Sequence, residues 1–165
     1  MHLRIESRSA AETLRIGMAL GRLLRGGEVV GLAGDLGAGK TQLVRGLARG
    51  LDLEPDVIYS PSFTLVAEHE GRLRLNHIDL FRLSEHVERS EEKEIGLEEY
   101  LAPSGVTAIE WFRKLDKPRA AWTLEIDIED VEGDRRTIRL EGQEGRGKEI
   151  LEALAKDVPP RKERR

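Results

Sequence analysis

The fold of this chain is decided by one stretch of sequence, Gly34-Asp35-Leu36-Gly37-Ala38-Gly39-Lys40-Thr41. The stretch matches the pattern G-x-x-x-x-G-K-[ST] without a gap. Its glycines permit backbone dihedrals that turn N–H groups inward, and they leave no side chain in the way. A helix that begins near Lys40 adds free N–H groups and the positive end of its dipole. We therefore predict that these residues, called the phosphate loop below, cradle a polyphosphate.

The segments on both sides of the phosphate loop are those that the pattern requires. Val29–Ala33 is a short apolar run and predicts a buried strand before the loop. Apolar residues at helical spacing follow Lys40 and predict a helix after it. Because strand, loop and helix occur in this order, we interpret the loop as a binding site for a nucleoside triphosphate, ATP with Mg²⁺.

The residues of the loop have separate expected roles. The Lys40 ammonium is expected to reach the β- and γ-phosphates, and the Thr41 hydroxyl is placed to ligate Mg²⁺. The loop residues predicted to contact the nucleotide are Asp35, Leu36, Gly37, Ala38, Gly39, Lys40 and Thr41.

A loop of this kind works with an acidic residue on another strand, which holds the metal directly or through water. Glu110 follows the apolar run 106–109 and would lie at the carboxyl end of a buried strand. Asp79 lies in a segment of alternating polarity and is the second candidate. Either residue could instead be a solvated strand residue or an ion-pair partner. The residues alone leave both candidates open.

The remaining sequence predicts helices and two hairpins. Ser9 and Glu12 form a capping-box pattern that begins a first helix. Segments that alternate with period two flank Glu70-Gly71-Arg72, and a second pair flanks Glu132-Gly133-Asp134. We expect an antiparallel hairpin at each of these turns. A final helix is expected over residues 148–155. These elements, together with the phosphate loop, predict an α/β fold.

Length and composition bound the architecture. The chain has 165 residues, which suits one domain. We assign residues 1–158 to that domain and expect the charged segment 159–165 to be a disordered tail. The net charge of −4 argues against an extended nucleic-acid surface. A role in a nucleic-acid pathway would therefore depend on protein partners.

Three further sequence features concern location and covalent chemistry. No apolar run approaches the roughly 20 residues of a membrane-spanning helix, and residues 1–6 lack the apolar core of a signal peptide. There is no cysteine, which excludes disulfides. We expect a cytoplasmic protein.

Histidine and tryptophan suggest no site by themselves. The four histidines lack metal-ligand spacing, and we interpret His69 and His77 as hairpin residues. Trp111 and Trp122 are expected to be partly buried packing residues.

Several segments jointly resemble one family, the bacterial TsaE ATPases of tRNA threonylcarbamoyladenosine biosynthesis. The resemblance extends from about residue 9 to residue 140. The segments that carry it, beside the phosphate loop, are Ser60-Pro61-Ser62-Phe63-Thr64-Leu65-Val66, His77-Ile78-Asp79-Leu80-Phe81-Arg82-Leu83, Gly96-Leu97-Glu98-Glu99-Tyr100 and Ile109-Glu110-Trp111. The resemblance implies a three-layer P-loop NTPase-like domain whose mixed sheet includes antiparallel hairpins.

The resemblance also implies roles for catalytic and metal-binding residues. Thr41 and Glu110 match the residues that coordinate Mg²⁺ in the family. Asp79 matches an acidic residue important for ATP hydrolysis. Lys40, Asp79 and Glu110 are thus the expected catalytic residues.

Further nucleotide contacts are implied at four places. The segment 60–64 matches a mobile segment that faces the γ-phosphate, with Thr64 as its polar contact. Trp111 matches an aromatic residue beside the nucleotide. Thr13 falls where the family contacts the base region. Arg135 or Arg136 is expected to approach the nucleotide, and the alignment leaves open which one does so.

The function implied by the resemblance is that of a partner-dependent ATPase. Such a protein acts with the TsaB–TsaD heterodimer, which modifies the adenosine next to the tRNA anticodon, so its contact with tRNA is indirect. Two alternatives share the loop. A small-molecule kinase would usually need an arginine-rich lid, and the segment 85–101 suits that role poorly. A GTP-dependent switch would need an N-K-x-D-type segment, which Asp116-Lys117-Pro118 does not supply.

Overall fold

The structure is a computed structural model that describes residues 1–61, 64–101, 104–116 and 122–158. Within these ranges, seven strands form one sheet. The strands are β1 (His2–Ser7), β2 (Val29–Ala33), β3 (Val66–Glu70), β4 (Arg74–Asp79), β5 (Val106–Glu110), β6 (Leu124–Glu132) and β7 (Arg135–Gly142).

The described residues also form five α-helices. They are α1 (Ala10–Leu23), α2 (Lys40–Gly50), α3 (Arg89–Glu94), α4 (Leu97–Tyr100) and α5 (Arg146–Asp157). Short 3₁₀ turns cover Pro55–Val57 and Phe112–Lys114. Across the described ranges, no helix has the length and apolar character needed to cross a membrane.

The sheet is mixed, and its order is β1-β7-β6-β2-β5-β4-β3. Strand β2 is parallel to both of its neighbours, β5 and β6, and β4 is parallel to β5. The pairs β3–β4 and β6–β7 are antiparallel, which confirms the two expected hairpins. The phosphate loop therefore leaves the sheet from an interior strand whose neighbours run in the same direction, so their carboxyl ends meet at one edge.

Helices and loops cover the two faces of the sheet. Ala108 and Ile109 are adjacent on β5, yet they belong to different apolar clusters, because successive strand side chains point to opposite faces. One cluster joins the sheet to α1, α2 and α5. The other joins it to Leu97 of α4 and to Phe112. This is the three-layer arrangement expected from the family resemblance.

Strand β1 was absent from the sequence-based expectations. It pairs antiparallel with β7, and Ile5 lies opposite Ile138. Its sequence does carry a period-two pattern, since Leu3, Ile5 and Ser7 are buried while the residues between them are more exposed. The pattern is short and includes two charged residues, so only its pairing with β7 makes it recognisable as a strand.

Helices α1 and α2 pack closely through glycines. Gly17 and Gly21 on α1 face Gly46 and Gly50 on α2, and a Cβ on Gly46 would lie 2.1 Å from the Leu14 carbonyl oxygen. Side chains at these positions would force the helices apart. The close approach fixes α2, and with it the end of the phosphate loop, against α1.

The predicted helix start at Ser9 is confirmed in a modified form. The Ser9 hydroxyl accepts a hydrogen bond from the Glu12 backbone N–H at 3.1 Å. The Glu12 carboxylate accepts a hydrogen bond from the Arg8 backbone N–H at 2.8 Å, whereas a capping box would use the Ser9 backbone N–H. The predicted tail, residues 159–165, lies outside the described residues.

Candidate functional site

The phosphate loop has the backbone conformation for which glycine is required. Gly34, Gly37 and Gly39 have φ angles of 139°, 78° and 108°, values that other residues rarely adopt. A Cβ on Gly34 would also lie 2.5 Å from the Ile128 carbonyl oxygen. Gly39 is the residue immediately before α2, so the loop ends at the free N–H groups of that helix.

The Lys40 ammonium is held at the loop by backbone carbonyls. Its Nζ donates to the carbonyl oxygens of Gly34 at 2.6 Å and Asp35 at 2.8 Å. The Trp111 ring lies beside it, with its centroid 4.2 Å from Nζ. Burial lowers the pKa of Lys40, while the nearby carboxylates of Glu110, Asp79 and Asp35 act in the opposite direction. A cation is thus directed at the loop that is expected to take an anion.

Glu110 forms the acidic centre of the site, and it is only 3% exposed. The Thr41 hydroxyl donates to its Oε1 at 2.9 Å, with Oε2 at 3.3 Å. His77 Nε2 lies 2.6 Å from Oε2. Glu110 is therefore not a solvated strand residue, and a basic side chain that contacts it is the buried His77.

Asp79 lies next to Glu110 because the two residues are register partners at the ends of β4 and β5. Its Oδ1 accepts a hydrogen bond from the Phe81 backbone N–H at 2.9 Å. Its Oδ2 accepts one from the Ser60 hydroxyl. This second bond ties the carboxylate to the start of the segment 60–64, of which Ser62 and Phe63 lie outside the described residues.

These groups converge on a cleft of about 460 Å³. The cleft is lined by Leu36, Gly37, Gly39, Lys40, Thr41, Gln42, Ser60, Asp79, Phe81, Arg82, Glu110 and Trp111. All three expected catalytic residues are among them, and so are both expected metal ligands. Asp35 instead lines a neighbouring cleft of about 640 Å³, which shares Trp111 with the first.

The two candidate arginines of the last hairpin differ in their contacts. Arg136 donates through Nε to the Ala38 carbonyl oxygen at 2.9 Å, and through Nη1 to Asp130 at 2.9 Å. Arg135 is exposed. The geometry therefore favours Arg136 as the arginine that reaches the phosphate loop, across 98 residues of sequence.

Thr13 and Thr64 do not line the cleft. Thr13 is 2% exposed, and its hydroxyl lies 2.8 Å from Ser7 Oγ. Thr64 is exposed, and its hydroxyl donates to the Val66 carbonyl oxygen at 3.3 Å. Their nucleotide contacts remain predictions.

His77 is the site residue that the sequence reasoning missed. It lies in the β3–β4 hairpin as expected, opposite Ala67, but it is also fully buried and contacts Glu110. One signal could have identified it. His77 and Asp79 are two residues apart on one predicted strand, so His77 shares a face with a catalytic candidate. The register, which only the structure shows, adds Glu110 to that face.

A glycine loop connects a buried strand to a helix that begins with a lysine and a threonine. The adjacent parallel strand supplies a glutamate. This combination defines a P-loop NTPase fold. The model of the family "Threonylcarbamoyl adenosine biosynthesis protein TsaE" matches residues 7–138. The chain belongs to the TsaE family.

Individual relatives agree with this assignment. A tRNA threonylcarbamoyladenosine biosynthesis protein TsaE from Treponema pallidum is 40% identical over 138 residues, covering 84% of this chain and 99% of its own. Its counterpart from Bacillus subtilis is 32% identical over 146 residues, or 88% and 89% of the two chains. The crystal structure of Bacillus subtilis YdiB superimposes with a TM-score of 0.76 at 28% identity, covering 95% of this chain and 96% of that one.

Proposed function

We propose that this protein is an ATPase that binds ATP with Mg²⁺ at the phosphate loop. We further propose that it hydrolyses ATP in complex with the TsaB–TsaD heterodimer, during threonylcarbamoyladenosine modification of tRNAs that read codons beginning with A. One observation carries the proposal: Lys40, Thr41, Asp79 and Glu110 converge on one cleft in a chain of the TsaE family.

The residues present fit a magnesium site that depends on phosphate ligands. Thr41 and Glu110 place a hydroxyl and a carboxylate oxygen 2.9 Å apart. Among the residues that the structure describes, no group of three or more histidines and carboxylates is arranged to hold a metal alone. Mg²⁺ is commonly held by one or two protein ligands together with substrate phosphates. When bound, Mg²⁺ would neutralise charge that develops on the phosphates.

The protein groups have distinct proposed roles in turnover. The loop N–H groups and the Lys40 ammonium bind and orient the β- and γ-phosphates. Asp79 lies beside Glu110 at the strand ends and is proposed to position the attacking water. Trp111, whose ring centroid lies 4.2 Å from Lys40 Nζ, is proposed to lie beside the bound nucleotide.

The remaining predicted contacts concern the rest of the nucleotide and the segment near the γ-phosphate. Arg136 supports the loop through Ala38, as described above. Thr13 is proposed to face the base region. To bond the nucleotide there, its hydroxyl would give up its hydrogen bond with the Ser7 hydroxyl. Thr64 is proposed to be the polar contact of this segment to the γ-phosphate.

Exposed apolar side chains at the cleft support contact with a protein partner. Leu36 and Phe81 line the cleft and are 76% and 44% exposed. Exposed apolar side chains grouped at one site are typical of surfaces that meet another protein. The net charge of −4 agrees with tRNA contact through partners instead of direct binding.

The proposal is tested by measuring ATP hydrolysis with and without TsaB–TsaD. We expect low turnover by the protein alone and stimulation in the complex. Lys40→Ala and Glu110→Ala should abolish turnover, while Lys148→Ala, on the exposed face of α5, serves as the matched control. Failure to associate with TsaB–TsaD, or to be stimulated by it, would contradict the partner-dependent function while leaving nucleotide binding intact.

A small-molecule kinase is the second candidate, because a second cleft of about 640 Å³ adjoins the phosphate loop at Gly34 and Asp35. This cleft lies beside Asp35 and Trp111 and could receive an acceptor. A phosphorylated metabolite formed by the purified protein alone would support this alternative. Binding of GTP as tight as that of ATP would instead support a nucleotide-dependent switch.

A further inference from the structure

A buried imidazole lies behind the carboxylate that is proposed to bind Mg²⁺. We propose that His77 is a positioning residue that orients the Glu110 carboxylate for the metal, an inference that rests on the proposed function. His77 would not touch nucleotide or metal. It would act through Glu110 alone.

The direction of the hydrogen bond follows from the chemistry of the two groups. His77 Nε2 and Glu110 Oε2 are 2.6 Å apart, and both side chains are buried. A carboxylate offers only acceptor lone pairs, so the hydrogen lies on Nε2. A short hydrogen bond to a charged acceptor in a buried site is among the strong ones.

The two oxygens of Glu110 are held from different elements of the fold. Thr41, at the start of α2, donates to Oε1 at 2.9 Å. His77, on β4, contacts Oε2. Because the donors approach from the loop and from the sheet, the carboxylate cannot rotate about its terminal torsion without losing one bond. This fixes which oxygen lone pairs face the cleft.

The surroundings of His77 argue against a purely structural role. Within the described residues, its Nδ1 is buried and has no hydrogen-bond partner. An imidazole with an unpaired buried nitrogen is a poor filler for an apolar core, because a polar atom loses hydration without compensation. An apolar side chain would fill this space at lower cost. The bond to Glu110 is the interaction that only the histidine provides.

Partners of this kind affect metal binding more than nucleotide binding. Groups that hydrogen-bond to metal ligands orient them, and their loss commonly lowers metal affinity by about 10- to 100-fold. His77 is not among the loop residues proposed to bind the phosphates, and it does not line the cleft. We therefore expect a selective effect on Mg²⁺.

The test compares His77→Leu and His77→Gln with the wild-type protein. Leucine removes the donor, whereas the glutamine amide can still donate to Glu110. His69→Leu is the matched control, because His69 is on the neighbouring strand β3 and pairs with Leu75. Circular dichroism and thermal denaturation establish that each variant is folded. If His77→Leu does not fold, His77→Asn replaces it, since its shorter amide does not reach Glu110.

The readouts are ADP affinity in EDTA, ADP affinity in Mg²⁺, and the Mg²⁺ concentration at half-maximal ATPase rate. For His77→Leu we expect the half-saturating Mg²⁺ concentration to rise about 10- to 100-fold. The affinity for ADP in EDTA should change less than about threefold, which is well below a tenfold change. His77→Gln should recover most of the Mg²⁺ affinity, and His69→Leu should match the wild type.

Three outcomes would overturn the proposal. An unchanged Mg²⁺ dependence in His77→Leu contradicts the role of His77 alone. An equal loss of affinity in EDTA and in Mg²⁺ shows general damage to the site, which a structural role would produce. A wild-type protein whose nucleotide binding and hydrolysis ignore Mg²⁺ contradicts the proposed function itself, and the role of His77 with it.

Discussion

The contact between Arg136 and the phosphate loop leads to a quantitative prediction. Arg136 donates through Nε to the Ala38 carbonyl oxygen at 2.9 Å. Ala38 is 1% exposed, so water has little access to replace the guanidinium. Arg136→Ala therefore leaves a buried carbonyl without its charged donor and loosens the loop conformation that takes the phosphates.

The expected magnitude follows from the type of bond. A hydrogen bond to a charged group contributes about 1.5–3 kcal/mol, and about 1.4 kcal/mol corresponds to a tenfold change in affinity. We expect nucleotide affinity to fall by about 10- to 100-fold. The Arg136 side chain retains 17% exposure, which places the effect toward the lower end of that range. Arg136→Lys keeps the charge without the planar donor geometry and should have an intermediate effect.

The assay is a titration with fluorescent ADP, repeated by calorimetry, at constant ionic strength. Arg135→Ala is the matched control, because Arg135 is the exposed neighbour and its removal changes the net charge equally. It should bind within about twofold of the wild type, as surface substitutions usually do. Wild-type affinity in Arg136→Ala would refute the reasoning. An equal loss of nucleotide affinity in Arg135→Ala would show that the lost positive charge alone is responsible, because both variants lose one positive charge near the loop.

Three further predictions concern turnover, packing and pH. Asp79→Ala should lower kcat by about a hundredfold or more and leave ATP affinity largely intact, because it removes a group aimed at the reacting phosphoryl; wild-type hydrolysis would contradict its role. Gly46→Ala should destabilise the protein by about 1–3 kcal/mol in urea denaturation, because its Cβ would lie 2.1 Å from the Leu14 carbonyl oxygen; an unchanged midpoint would show that α1 and α2 separate freely. Burial lowers the pKa of His69 from 6.5, and the nearby His77 adds to this. The unfolded state therefore binds more protons below pH 6.5, and stability should decrease as the pH falls through this range; His69→Gln should reduce that slope in denaturation measured from pH 7.5 to 5.

Much of the fold could be predicted because its signals are local. The run Val29–Ala33 became β2 with the predicted bounds, and Ser9 begins α1 through a side-chain cap. The turns at 70–72 and 132–134 join antiparallel partners, since glycine and charged residues between alternating segments favour reversal of the chain. Strand β1 was missed because its apolar pattern is short and its partner β7 is more than 100 residues away.

Part of the candidate site could also be predicted. Glu110 and Asp79 were both candidates from the residues alone, but neither their adjacency nor their partners could be known. Their adjacency depends on β4 and β5 being parallel neighbours in register, and the sequence pattern of a strand does not specify its neighbour. The sequence likewise did not distinguish Arg135 from Arg136. The two residues are adjacent on β7, so their side chains point to opposite faces of the sheet, and only the assembled sheet shows which face meets the phosphate loop.

The sequence by itself determined the phosphate loop. Its conformation depends on glycines at 34, 37 and 39, whose φ angles of 139°, 78° and 108° are a property of the local backbone. Tertiary structure alone decided what surrounds it. It brings His77 to Glu110 across 33 residues of sequence, and Arg136 to Ala38 across 98. The physical reason is that such contacts follow from strand order, register and helix packing, which many local sequences share and only the assembled sheet specifies.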